Sequence, residues 1–118
     1  MTTSDQPYLS RIPVRTRDEI ILVPVENVVA IVAEGELIHF TTIAGERHTM
    51  TYRLEDIECR LDPANFVRLP RGSIINIDAI RRVRLTPGSS YIVELTNGHE
   101  IAVSRLQARV LRHRLLAL

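Results

Sequence analysis

Short apolar runs separated by turn residues fill the first two-thirds of this chain, and their β-branched content predicts strands. Arg11–Arg15 opens extended, and Glu19-Ile20-Ile21-Leu22-Val23 follows until Pro24 breaks it. Val25-Glu26-Asn27 makes a single turn before the next strand, residues 28–32. Ala33-Glu34-Gly35-Glu36 reverses the chain into Leu37–Thr42, and Ala44-Gly45-Glu46 reverses it again into residues 47–51. Further on, Phe66–Leu69 leads through a Pro70-Arg71-Gly72 loop to Ser73-Ile74-Ile75, and Asn76 caps a brief helical turn through Ile80. Arg82-Val83-Arg84-Leu85 alternates as a half-exposed strand does. After a turn at Pro87-Gly88-Ser89-Ser90, Tyr91–Leu95 and Glu100–Val103 flank Thr96-Asn97-Gly98-His99, whose Asn-Gly pair is a strong hairpin signal.

Two segments change period from strand to helix. Over residues 53–61, Leu54, Ile57 and Leu61 fall at i, i+3 and i+7 and share one helical face, and Asp62-Pro63 stops it. Cys59 lies off that stripe and is expected to be a partly exposed, incidental thiol. A closing helix runs from Ser104 to the end, and Ser104 with Gln107 three residues on has the form of a capping box. Residues 1–10 are polar without an apolar core and read as a short disordered lead, not a secretory signal. Residues 11–118 read as one domain, since 118 residues rarely support two cores.

Composition narrows the class only modestly. No apolar run approaches the roughly 18–20 residues of a membrane span. The single cysteine excludes an intramolecular disulfide and fits a cytoplasmic location. The net charge of +1 hides an asymmetry: residues 1–62 hold six arginines against eleven acids, and residues 63–118 nine against three. A basic second half suggests one phosphate-binding face, although arginines that merely solvate a surface give the same count. All fifteen strong cations are Arg, whose planar fork suits phosphates and guanine edges.

Catalytic and cofactor chemistry finds no foothold. His39, His48, His99 and His113 share no metal-ligand spacing with one another or with Cys59, so neither a metal nor another cofactor is expected. There is no glycine-rich phosphate loop and no nucleophile elbow around Ser73 or Ser104. Glu55-Asp56 reads as a solvated helix face, not a catalytic pair. Aromatics are too sparse for a base-stacking RNA platform. The chain is expected to be a binding module and not an enzyme.

Three stretches stand in register as one signature. The first is residues 61–80, LDPANFVRLPRGSIINIDAI, a helix end, a phenylalanine, an arginine-bearing loop, apolar residues, an asparagine and a short turn. The second is Val93-Glu94-Leu95-Thr96-Asn97-Gly98 with Val103-Ser104-Arg105, and the weaker third is residues 25–35. Together they cover about residues 11–115 and resemble the LytTR family of bacterial DNA-binding domains. The resemblance implies a mostly β fold, an elongated stack of small antiparallel sheets with one internal helix and a C-terminal helix. It also implies loops entering successive major grooves of a bent duplex, unlike helix-in-groove readers.

Carried over by position, Arg71 matches the arginine or asparagine of the central DNA loop and Arg105 the arginine after the last strand. Gly35 or Glu36 holds the place of the first loop's contact, and Arg68, Ser73 and Ser104 flank these positions. Pro70 and Gly72 replace the family's usual polar residue before the arginine and serine after it. An acidic first loop, Glu34 and Glu36, repels phosphate or accepts from a cytosine amine. Arg53, placed on the internal helix, is expected to stand apart from the interface. Ser104 and Asn76 are expected to act mainly as caps.

The expected function is sequence-specific double-stranded DNA binding by a stand-alone, cytoplasmic transcription regulator. Its input is expected from a separate sensor or membrane-bound regulator, with a possible dimer on DNA. The rival is a β-rich protein-interaction module of the same fold that has lost DNA binding.

Overall fold

The computed structural model describes residues 8–69, 72–88 and 90–115, apart from the side chains of Gln107, Val110, Arg114 and Leu115. Among the described residues, ten strands form three antiparallel sheets. β1 (Arg11–Arg15) and β2 (Ile20–Pro24) make a two-stranded hairpin. β3 (Val28–Glu34), β4 (Leu37–Thr42), β5 (Arg47–Met50), β6 (Phe66–Leu69) and β7 (Ser73–Asn76) make a five-stranded sheet in the order β5-β4-β3-β7-β6. β8 (Ile80–Leu85), β9 (Tyr91–Leu95) and β10 (Glu100–Val103) make a three-stranded sheet with β9 central. α1 (Leu54–Glu58) links β5 to β6, and α2 (Arg105–Leu115) follows β10.

The five-stranded sheet is the middle layer, because the pleat sends alternate apolar side chains to opposite faces. On one face Ile31, Ile38, Phe40, Phe66 and Ile74 pack with Ile12, Val14 and Val23 of the hairpin and with Leu54, Ile57 and Leu61. On the other, Val29, Ala30, Val67, Leu69 and Ile75 pack with Val93, Leu95 and Val103 of the small sheet and with Ala108 and Leu111 of α2. A bulge in β3 makes this possible. The β3–β4 register slips between Val28 and Ala30, so Val29 is the extra residue. Val29 and Ala30 therefore face the same core in succession, while Val28 and Ile31 serve the other. The extents, 48 × 35 × 24 Å, and a radius of gyration of 14.9 Å describe an elongated body. The mostly β, elongated architecture agrees with the expectation from sequence.

Several local details differ from it. β2 runs through Pro24, which pairs with Arg11 at the strand end, where a missing N–H is tolerated. α1 is a single short helix, and Arg53 precedes it in extended conformation (φ −92°, ψ 137°) instead of belonging to it. The buried stripe survives because tight turns carry Leu61 onward, its N–H bonded to Glu58 O at 3.2 Å. Residues just before Arg11 join the backbone bonding: Leu9 N–H donates to Arg60 O at 2.7 Å, and Ser10 O accepts from Val25 N–H. The expected β9–β10 hairpin forms with the expected strand bounds, and its connection is a three-residue loop, Thr96-Asn97-Gly98, since Leu95 N–H donates to His99 O at 2.8 Å. Gly98 takes φ 89° to close it, as the type I turn with a following left-handed residue requires.

β8 is the largest departure. It begins at Ile80, a bulge leaves Arg81 as the extra residue, and every position from Arg81 to Leu85 is exposed. Alternation in its sequence reflects an overhanging edge strand, with Leu85 73% exposed, and not a half-buried one.

Candidate nucleic-acid interface

The first and central loops are brought to one end of the five-stranded sheet by antiparallel pairing of β3 with both β4 and β7. The β3–β4 hairpin turns in two residues, Gly35 and Glu36, between the paired Glu34 and Leu37. Gly35 has φ 65°, the left-handed geometry that two-residue hairpins favour. At the same end β6 returns as β7, and Gly72 closes the turn with φ 86°. Ala33 N–H donates to Gly72 O at 2.8 Å and ties the two turns together. A Cβ on Gly72 would lie 3.4 Å from the Ala33 Cβ, so glycine serves both the backbone angle and the close approach. Pro70 and Arg71 lie outside the described residues, but the strand ends that carry their loop are fixed.

Gly35, Glu36, Arg68 and Gly72 line one open cleft of about 470 Å³. The β5–α1 connector, with Thr51, Tyr52 and Arg53, forms part of its wall. Arg53 therefore stands beside the two loops and not apart from them, because the connector is extended and turns its side chain outward. Its guanidinium is 77% exposed and lies 3.8 Å from the Glu55 carboxylate, a loose surface pair. A charged residue in the strand-to-helix connector was the available signal, and assigning it to the helix concealed it.

The flanking candidates have distinct surroundings. Arg68 is half-buried and donates to Glu58 at 2.8 Å, so its charge is already engaged by α1. Ser73 opens β7, half-buried, opposite Val32 and Leu69. Asn76 is buried and acts as the expected cap: its Oδ1 accepts from Asp78 N–H at 3.0 Å, and its Nδ2 donates to Val28 O at 2.8 Å. In the first loop, Glu34 lies 2.8 Å from His39 Nε2, and His39 Nδ1 meets Thr49 Oγ1 at 2.9 Å. These contacts fit an imidazole that donates to Glu34 from Nε2. Glu36 has no described ion pair and is exposed.

Ser104 and Arg105 belong to the other lobe. Val103 ends β10 opposite Tyr91, and α2 starts at Arg105, its first turn closed by Ala108 N–H on Ser104 O at 2.9 Å. Ser104 is exposed, and its anticipated partner Gln107 lies outside the described side chains. Arg105 is exposed at the helix N-terminus, and no carboxylate among the described residues pairs with it.

The basic half of the chain is less free than its count suggests. Arg82 pairs with Glu94 at 2.8 Å, and Arg84 reaches past β9 to Glu100 on β10. With Arg68 held by Glu58, the cations without a described partner are Arg81 and, on α2, Arg105, Arg109 and Arg112. No group of three or more His, Cys, Asp or Glu among the described residues could hold a metal ion. No helix among them is long and apolar enough to cross a membrane.

Comparison with known proteins agrees with this geometry. The model of the LytTr DNA-binding domain matches residues 18–116. A solved LytTr DNA-binding domain from Bacillus cereus superposes with a TM-score of 0.78 at 25% identity, over 91% of this chain and 97% of that one. The transcriptional regulatory protein LytR of Staphylococcus aureus (strain MW2) is 33% identical over 96 residues, 80% of this chain and 38% of that protein. The heme-containing CO-sensing transcriptional regulator RcoM 2 of Paraburkholderia xenovorans (strain LB400) is 28% identical over 107 residues, 88% of this chain and 39% of that protein. The chain thus spans well under half the length of these two transcriptional regulators. With the family match covering most of its length and the fold agreeing over 91% of the chain, the chain belongs to the LytTR family, the DNA-binding domain of transcription regulators.

Proposed function

We propose that this domain binds double-stranded DNA sequence-specifically, as part of a cytoplasmic transcription regulator, by inserting loops into successive major grooves. Arg71 of the central loop and Arg105 at the start of α2 are the principal contacts. Gly35 and Glu36 form the first contact loop, and Arg68, Ser73 and Ser104 sit at its neighbours' margins. The observation that carries the reading is the junction of the first and central turns through Ala33 and Gly72 in a LytTR fold, which supports presentation of both from one rigid end. Arg105 adds an anion-friendly helix N-terminus, where free N–H groups and a guanidinium favour phosphate together. The proposal extends to input from a separate sensor or membrane-bound regulator and to two copies on one operator, whose complex mass light scattering reads.

Arg71→Ala and Arg105→Ala test the contacts. Each is expected to keep the thermal midpoint and weaken binding to a duplex selected by the purified protein from genomic fragments. A base-reading arginine contributes roughly 1–3 kcal/mol and relaxes preference at one position. A phosphate contact instead weakens all sequences alike and shallows the salt slope by about 0.9. Arg15, exposed on β1 and not among the residues lining the cleft, serves as the control in place of Arg53. If both loop variants bind as tightly as the parent, these contacts are wrong.

The interaction-module reading is favoured by one observation, the exposed Glu36 sharing its cleft with Arg68, whose charge is already paired with Glu58. A flat salt response of duplex binding would establish it, because counterion release imposes a steep one on DNA readers.

A further inference from the structure

α2 carries more free positive charge than a single groove contact needs. Arg105, Arg109 and Arg112 lie at i, i+4 and i+7, on one flank beside the face that buries Ala108 and Leu111. All three are exposed and none has a described ion pair. The segment Arg105–Leu115 contains no acidic residue at all, so no i,i+4 pair within the helix offsets them. A surface helix selected for stability alone mixes signs; like charges at i,i+4 destabilise it by roughly 0.2–0.5 kcal/mol. Arg105 adds an unfavourable position against the helix dipole. The neighbouring sheet behaves oppositely, with Arg82 and Arg84 neutralised by Glu94 and Glu100.

From this contrast we infer that the flank of α2, Arg109 and Arg112 in line with Arg105, lies along the phosphate backbone of duplex DNA. The inference rests on the proposed DNA-binding function and deepens it by naming a sequence-independent contact strip. The seven-residue span from Arg105 to Arg112 is about 10.5 Å along the helix axis. A DNA strand offers a phosphate roughly every 3.4 Å of duplex axis, so more than one phosphate lies within reach of such a strip. Arg side chains of this length bridge to phosphate oxygens bidentately without inserting into a groove. The strip thus sets affinity and orientation, while the loops set sequence preference.

The test uses the full chain and a short duplex of arbitrary mixed sequence, titrated by fluorescence anisotropy over a salt series. Arg109→Ala with Arg112→Ala is expected to shallow the log–log salt slope by about 1.8, two contacts at roughly 0.9 each. The paired lysine variants, which keep the charge, are expected to retain the parent slope. Both positions are exposed and alanine favours helix, so the thermal midpoint should hold; the paired glutamine variants give the same reading if it does not. A parent-like slope in the charge-removed variants overturns the inference while leaving the loop contacts standing. A flat slope in the parent overturns the DNA-binding reading itself, and the strip with it.

Discussion

Two residues show how a single side chain, or its absence, fixes the interface from behind. Asn76 joins the cap of a 3-10 turn to the β3 carbonyl of Val28 from a buried position. Asn76→Ala removes both bonds and strands a buried carbonyl, so it is expected to lower stability by roughly 2–3 kcal/mol, read as a shifted urea midpoint at constant slope. An unchanged midpoint would mean that water replaces the amide. Gly72 acts through backbone geometry: its left-handed φ costs an alanine roughly 1–2 kcal/mol, and the new methyl comes into contact with the Ala33 Cβ. Gly35→Ala meets nothing within 4 Å and should bear the conformational part alone. Because Gly72 adjoins Arg71, its alanine variant is expected to weaken DNA binding more than its midpoint shift explains, whereas binding that simply tracks the folded fraction would assign Gly72 to stability only.

At the scale of elements, apolar periodicity made α1's inward face legible before the structure. Leu54, Ile57 and Leu61 are all buried against the hairpin and the five-stranded sheet. Leu54→Asp is therefore expected to lose at least the roughly 2–5 kcal/mol of a leucine cavity plus the desolvation of a charge, unfolding the domain or nearly so. Cys59→Ser, at an exposed position, should leave both the melting curve and DNA binding unchanged. Loss of a redox-dependent binding response in the serine variant would overturn that. Strands read equally well where one face is buried, as in β4 with Ile38 and Phe40 inward. What the sequence concealed was set by long-range geometry. The β3 bulge that splits Val28 from Val29 leaves no compositional mark. β8 alternates but lies exposed at the edge of its sheet from Arg81 to Leu85, which depends on strand order and not on its own pattern. The spacing of Arg105, Arg109 and Arg112 was readable, but their freedom was not, since it depends on Glu94 and Glu100 drawing off the other arginines.

For the whole molecule, the decisive feature is one sheet shared by two cores. Arg71 hangs from the strands β6 and β7 and Arg105 from the β10–α2 junction, two lobes that meet through Val29, Ala30, Val67, Leu69 and Ile75. The same strands supply Ile31, Phe66 and Ile74 to the opposite core. Damage to either core should therefore reach both proposed contact loops. Phe40 offers the test, since it is fully buried in the core remote from the small sheet and packs beside His48, with ring centroids 5.1 Å apart. Phe40→Ala is expected to cost about 3–5 kcal/mol. If the domain unfolds as one unit, hydrogen exchange at Val93 and Leu95 in β9 should accelerate as much as at Ile38 in β4, although β9 does not touch Phe40's core. Duplex binding should fall with the folded fraction, and the contributions of Arg71 and Arg105 should fall together. If protection in β9 instead stays at its parent value while β4 exchanges freely, the lobes are separate folding units. The fixed spacing of the two contact loops would then come from DNA and not from the protein.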